Sequence, residues 1–338
     1  MSTTDSVGAA PAGLVDLASA RIVGTALLAN DEFFAEKENL LKPGRGIFIP
    51  DKYTDRGKWM DGWETRRRRT PGHDWCVVQL GLRGIIKDVD IDTNHFLGNH
   101  PSFASLDALC VSNGFPSEVA AVEGLFWTPV LAQSPLKPGS QNLRAITNDQ
   151  TWTHVRLNIF PDGGVARLRV YGIVVPDWSK LKPGELVDLA AVENGGVALA
   201  CSDMFFSSMN NLIMPGRSEN MGDGWETKRR RGPGYDWIIL KLGLPGTIRK
   251  VEVDTNHFKG NYPDMCSIEG CTAPGASIGE LASMSTCWSE ILPKTKLQGD
   301  TRHFFERELS SIDNCTHIRL NIYPDGGVSR LRVWGTLA

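Results

Sequence analysis

The sequence predicts an all-β protein, a tandem duplication of two antiparallel jelly-roll β-sandwiches. Three observations carry this expectation. Long segments recur in the same order in the two halves of the 338-residue chain. Within them, apolar residues alternate with polar ones at a period of two, the mark of half-buried strands. Short strands punctuated by Gly- and Pro-rich turns, with little helical periodicity, favour sandwiches or jelly rolls over mixed folds.

The duplication emerges when the chain is slid along itself. "DGWETRRRRTPGHDW" from Asp61 meets "DGWETKRRRGPGYDW" from Asp223, with 12 of 15 residues identical. "DTNHF" stands at Asp92 to Phe96 and again, unchanged, at Asp254 to Phe258. "HVRLNIFPDGGVARLRVYG" from His154 meets "HIRLNIYPDGGVSRLRVWG" from His317, with 15 of 19 identical. Upstream, "LVDLA" at Leu14 matches Leu186, and Phe33 to Arg45 matches Phe205 to Arg217 through "FF" and "N-L-x-x-P-G-R". The offset there is 172 against 162 at Asp61 and Asp92, so the first copy holds ten extra residues within Gly46 to Met60, expected as a longer surface loop. Each copy has the size of a domain, not of a solenoid repeat. The expected organisation is a flexible tail over 1–13, a first domain over 14–175, a linker over 176–185 and a second domain over 186–338.

Taken in order, "FFAEKENLL" (Phe33 to Leu41) and the "SEVAAVEGLF" region carry the short helical periodicity. "DWCVVQLG" and its partner "DWIILKLG" read as strands buried on both faces. In "DVDIDTNHF", Val89, Ile91 and Thr93 alternate with Asp90, Asp92 and Asn94; Val251 and Val253 repeat this against Glu252 and Asp254. One face is apolar and the other acidic. "VRLNI" sets Val155, Leu157 and Ile159 opposite Arg156 and Asn158, and "RLRVYG" sets Leu168 and Val170 opposite Arg167 and Arg169. Between these two strands "PDGG" has the turn chemistry of a hairpin, with Pro161 fixed in φ and two glycines able to take positive φ. "IVVPDWSKLKPGE", with two prolines, separates the copies.

The net charge of −3 supplies no general basic field for nucleic acid or membrane. No apolar run approaches the roughly 18 residues of a spanning helix, and the N-terminus lacks the basic start and apolar stretch of a signal peptide. The seven cysteines are odd in number and none recurs at the same place in both copies. A disulfide framework or zinc site would have been duplicated with its domain, so reduced thiols in a cytoplasmic protein are expected.

The duplication also sorts the polar residues. His95 pairs with His257 and His154 with His317, whereas His73 and His100 meet Tyr235 and Tyr262, and His303 has no partner in the motifs. Asp92, Asn94 and His95 stand where a strand's alternation stops, the place where sandwiches present their loops. An imidazole beside a carboxylate suits general acid–base chemistry, which makes His95, His257, Asp92 and Asp254 the candidate catalytic residues. The same residue types build turns, so a purely local role stands beside the catalytic one. Arg66, Arg67, Arg68 and Arg69, with Lys228, Arg229, Arg230 and Arg231 in the second copy, are candidate ligand-binding cations, because an Arg fork matches a carboxylate. A solvated loop is the alternative reading of such a run. "PDGG" reads mainly as a turn, and Arg167, Arg169, Arg330 and Arg332 as strand-face ion pairs. Phosphate-loop, dinucleotide, zincin and nucleophile-elbow motifs are absent. Asp92 and His95 offer two metal ligands where a zinc site uses about three, so no cofactor is expected, with metal assistance left open.

The combination of "DGWETRRRR", "DTNHF" followed by "GN", and a terminal "RLNIYPDGGVSRLRVWG" resembles the allantoicase family over almost the whole chain. The resemblance implies jelly rolls of the galactose-binding-like sort, a homo-oligomer, and a hydrolase of purine breakdown that converts allantoate and water to ureidoglycolate and urea. Allantoate carries two ureido groups and a carboxylate on one carbon. Its cleavage asks for a cation on the carboxylate, met by the arginine block, and for proton transfers, met by His95 and His257. Asp92 and Asp254 would orient the imidazoles or activate water, and Glu64, Glu226, Asn94 and Asn256 have donors and acceptors that match the amide edges of urea. A duplicated carbohydrate- or small-ligand-binding module without catalysis is the alternative, since the same sandwich serves binding proteins.

Overall fold

The computed structural model describes residues 11, 13–111, 115–118, 122–182, 184–283 and 288–337. The chain divides into two compact units, Met1–Val175 and Pro176–Ala338, each built on one eight-stranded antiparallel sheet.

In the first unit the 19-residue strand Asp74–Asp92 organises everything else. Its first residues, Asp74 to Gln79, pair with Thr25–Ala29 on one side and Thr151–Phe160 on the other. Phe103–Leu109 and then Thr128–Pro135 extend that layer. From Gly84 onward the same strand pairs with Arg167–Val174, which carries Val15–Asp16 on its outer edge, while Leu143–Ala145 joins at Asp88 to Asp90. The exchange of partners doubles the sheet over into two layers. It happens at Gly81 and Gly84, where other backbone passes too close for a side chain. A Cβ at Gly84 would lie 2.5 Å from the Ile173 carbonyl oxygen, and one at Gly81 would collide with that of Ile22.

The second unit repeats the plan around Asp236–Asp254. This strand pairs first with Val197–Cys201 and Cys315–Tyr323, then with Arg330–Leu337 and Arg302–Phe305. Met265–Cys271 and Ser289–Lys296 complete the first layer, and Val187–Asp188 the second. The period-two reading holds in both units. Val89, Ile91, Val155, Leu157, Ile159, Leu168 and Val170 are fully buried, as are Val251, Val253, Ile318, Leu320, Ile322, Leu331 and Val333. Each such side chain contributes roughly 1.5–3 kcal/mol of transfer free energy.

The structure corrects three local expectations. "PDGG" closes no hairpin, because Thr151–Phe160 and Arg167–Val174 pair with different parts of the long strand and not with each other. It carries the chain from one layer to the other, and its Gly164–Val165 pairs with Trp63–Glu64 instead. The acidic face of "DVDID" is also not solvated: Asp90 and Asp92 are each 2% exposed, because a loop and several arginines cover them. Finally, "FFAEKENLL" forms only the 3-10 helix Lys37–Leu41, matched by Met209–Ile213. Part of the "SEVAAVEGLF" region, residues 1–10 and 12 of the expected tail, and Cys287 lie outside the described residues; the other six cysteines are free thiols. The ten-residue insertion places an exposed hairpin, Tyr53–Thr54 with Gly57–Lys58, on the first unit. Among the described residues no helix is long and apolar enough to cross a membrane.

Candidate active site

The repeated pentapeptide closes a clasp at the end of the long strand. Asp92 Oδ1 accepts the Asn94 backbone N–H at 2.9 Å, turning the chain, and His95 takes a left-handed φ of 68°. The two Asp92 oxygens also receive Arg45, from Nε at 3.0 Å and Nη2 at 3.1 Å. Arg45 ends the "N-L-x-x-P-G-R" segment. The carbonyl of the next residue, Gly46, is gripped twice, by Asn94 Nδ2 at 2.8 Å and His95 Nε2 at 3.1 Å. The second unit builds the same clasp. Arg217 Nε donates to Asp254 Oδ2 at 3.3 Å, while Asn256 Nδ2 and His257 Nε2 meet the Ser218 carbonyl at 3.2 and 2.9 Å. The imidazoles are therefore oriented by a loop carbonyl, and the aspartates hold arginines. The local-turn reading is realised, and the turn fixes an arginine at the strand end.

Arginines of the following strand complete this wall. Arg167 is opposite Asp92 in register and Arg169 opposite Asp90; Arg330 and Arg332 stand likewise against Asp254 and Glu252. Arg167, 3% exposed, donates to Asp61 Oδ2 at 2.7 Å, and Arg330 to Asp223 Oδ2 at 2.8 Å. These acids open the two "DGWET" motifs. Arg169 donates to the carbonyls of Lys42 and Gly44, and Arg332 to those of Met214 and Gly216. The bland reading of these four as strand-face ion pairs is half right: their partners are mostly loops, which they pin over the acidic face.

In the second unit this wall lines a cavity of about 250 Å³, bounded by Gly216, Arg217, Glu252, Asp254, Arg302, Arg330, Arg332 and Trp334. That is near the lower end of the roughly 300–1,000 Å³ typical of small-molecule sites. Arg302 binds both oxygens of Glu252, with Nη2 to Oε2 at 3.0 Å. Burial pushes Arg330 and Arg332 below the usual guanidinium range. A cavity with four arginines in its lining suits a small anion, and His257 is hydrogen-bonded to Ser218, the residue after Arg217.

The "GWET" blocks lie at a neighbouring corner, where the three repeated motifs are stitched together. Thr65 N–H donates to the Gly163 carbonyl at 3.1 Å and Gly164 N–H to that of Asn99 at 2.8 Å, while Asn99 Nδ2 holds Glu64 at 2.7 Å. Asn261 holds Glu226 in the same way. Burial raises the Glu64 carboxyl above the usual carboxylate range. Arg66 pairs with Asp31 at 2.6 Å and Arg68 with Asp74 at 2.7 Å; Lys228 and Arg230 pair with Asp203 and Asp236. Arg67, Arg69, Arg229 and Arg231 are exposed. The structure thus brings Asp92, Asn94 and His95 together, and their copies Asp254, Asn256 and His257, while Arg66, Arg68, Lys228 and Arg230 of the two blocks are committed to carboxylates nearby.

Sequence reasoning passed over Arg45 and Arg217, although both end a matched segment. It also missed Arg302, which has no copy to mark it. His154 and His317 proved to be core residues: each Nδ1 lies 2.9 Å from the preceding Thr hydroxyl, and burial lowers His154 to about 4. Among the described residues, no group of three or more His, Cys, Asp or Glu is placed to hold a metal ion.

A family model described as the allantoicase repeat matches residues 15–175 and 187–338, which spans both units. The chain belongs to the allantoicase family. It is 51% identical over 323 residues to probable allantoicase 1 of Burkholderia mallei (strain ATCC 23344), covering 96% of this chain and 94% of that one. Against probable allantoicase of Pseudomonas aeruginosa (strain UCBPP-PA14) it is 50% identical over 322 residues, covering 95% and 96%. A crystal structure of allantoicase from Saccharomyces cerevisiae matches at a TM-score of 0.81 and 37% identity, over 96% of this chain and 93% of that one. The duplicated jelly-roll architecture is therefore that of the allantoicase family.

Proposed function

We propose that this chain is an allantoicase, a hydrolase that splits allantoate into ureidoglycolate and urea at a carbon–nitrogen bond of a linear amidine-type substrate, in allantoin degradation. The observation that carries the reading is an arginine-lined cavity beside the repeated Asp–Asn–His clasp, in a chain of this family. Guanidinium groups of the wall hold the substrate carboxylate by charge-assisted hydrogen bonds. His257, and His95 in its copy, serve the proton transfers. Because Nε2 donates to the loop carbonyl, the neutral ring keeps its second nitrogen, Nδ1, as the acceptor that takes a proton from water and returns it to the departing nitrogen. Asn256 and Asn94 spend their Nδ2 groups on the same carbonyls, which leaves Oδ1 as an acceptor for a ureido N–H. Asp254 and Asp92 act by fixing the arginines. Glu64 and Glu226 line the adjoining corner with further acceptors. The homo-oligomer implied by the family resemblance and the cytoplasmic location expected from the cysteines belong to the same proposal.

The test is direct. Purified folded chain is incubated with allantoate and the release of urea and ureidoglycolate is followed. Stoichiometric appearance of both supports the reading, and no urea above the uncatalysed rate overturns it.

A further inference from the structure

The two arginine walls are not equivalent. Arg45 closes on Asp92 with two bonds and is 24% exposed; Arg217 reaches Asp254 through Nε alone, and its side chain is 55% exposed. Where the first copy has Gln141, donating to Asp90 Oδ2 at 2.8 Å, the second has Arg302, whose side chain is 47% exposed. Local backbone establishes the correspondence. The Thr93 and Thr255 hydroxyls donate, each at 2.6 Å, to Lys137 and Gln298, four residues before Gln141 and Arg302.

The exchange gives the second wall one more cation than the first. In the second unit four arginines stand against four carboxylates, Arg217 with Asp254, Arg302 with Glu252, Arg330 with Asp223 and Arg332 with Asp188. In the first unit Arg45, Arg167 and Arg169 stand against Asp92, Asp61 and Asp16, while Asp90 is met by the neutral Gln141 and burial pushes its carboxyl up. The first wall is one cation short of its carboxylates, and the second has a guanidinium in that place. Among the described residues, Nη1 and Nη2 of Arg217 and Nη1 of Arg302 make no hydrogen bond, and both side chains line the cavity.

We infer that the substrate carboxylate is bound in the second unit by Arg217 and Arg302, and that Arg302 sets the preference for a carboxylate-bearing diureide. The identity of the substrate rests on the activity proposed above; the carboxylate site rests on the cavity alone. The first unit, with Gln141 in this place, does not hold the carboxylate.

The experiment compares Arg302→Gln and Gln141→Arg in the full chain. KM and kcat are measured with allantoate and with methylenediurea, the same diureide without the carboxylate, and malonate binding is read by calorimetry without turnover. Arg302→Gln is expected to raise KM for allantoate about tenfold or more, to remove the preference over methylenediurea, and to lose malonate binding. Gln141→Arg is expected to change none of these beyond about twofold. Should the single change unfold the chain by stranding Glu252, the double variant Arg302→Gln/Glu252→Asp rebuilds the pair present in the first copy and gives the same reading. Unchanged KM and malonate binding in folded Arg302→Gln overturns the inference, as does an equal effect from Gln141→Arg. Malonate binding that depends on Arg302, in a chain that releases no urea from allantoate, would instead leave the carboxylate site standing and remove the activity.

Discussion

His257 Nε2 lies 2.9 Å from the carbonyl oxygen of Ser218, the residue that follows Arg217 in the chain. One imidazole therefore tethers the arginine loop and, in the proposed reaction, uses its other nitrogen for proton transfer. The two duties separate experimentally. His257→Ala is expected to lower kcat by a factor of about 10² through loss of proton transfer. A tether alone would raise KM and lower Tm while sparing the turnover of folded enzyme. His95→Ala is expected to be unequal to it, with the larger loss at His257. Urea release by folded single variants at near-equal halves of the wild-type rate would show two independent sites instead.

The second glycine of each "PDGG" faces the aromatic ring of "DTNHF". A Cβ at Gly164 would collide with the Phe96 ring, and one at Gly327 with that of Phe258; both rings are fully buried. Gly164→Ala is expected to cost about 1–3 kcal/mol by overpacking. Adding Phe96→Leu should recover part of that loss, because the two positions share one space. Chemical denaturation of the singles and the double measures the coupling, and strict additivity would refute the contact.

His303 occupies the place of Asn142. Its Nδ1 lies 3.1 Å from the Val253 carbonyl and its Nε2 accepts the Gln298 N–H at 2.9 Å; Asn142 serves Ile91 and Lys137 in the same way. His303→Asn should therefore keep the loop, with stability within about 1 kcal/mol of wild type and kcat unchanged, whereas His303→Ala should lose about 1–3 kcal/mol. A large loss of kcat in stable His303→Asn would mean that the ring does chemistry.

His154 is held near 4 by burial, against an ordinary value of 6.5, and burial lowers His317 as well. A folded value below the unfolded one means that protons favour the unfolded chain. The contribution is complete above about pH 6.5, declines as pH falls from 6.5 towards 4, and changes no further below that. His154→Phe, which keeps a ring against Phe115, should flatten the Tm profile across that window relative to wild type. Parallel profiles for the two proteins would show that His154 does not titrate there.

The fold was readable because alternation is a property of each strand by itself: Val89, Ile91, Val155 and Leu157 announce their buried face wherever the strand goes. Which sheet a strand joins depends on distant partners. Turn residues such as Pro161 and Gly163 report local backbone only, and so "PDGG" was misread. The site was half readable for a related reason. The repeat comparison marks what both copies keep, which found Asp92, Asn94 and His95, and it held Arg45 and Arg217 in plain view within a matched segment. A comparison that rewards sameness is blind to Arg302, whose meaning lies in its difference from Gln141. The pairing within the arginine block was not legible, because Arg66 and Arg68 find their carboxylates, Asp31 and Asp74, only in the folded chain.

One strand, Asp74–Asp92, is central to both layers of its unit, and Asp92 sits at its end. Neither layer has a complete set of strands without the other, so melting by halves is closed to this architecture. Amides of Trp75 to Val78 and of Val89 to Ile91 should then exchange with deuterium through one shared opening of the unit. Asp92 inherits that protection: the anchor of the clasp is as durable as the whole sandwich behind it, while the loop it holds remains free to open on its own.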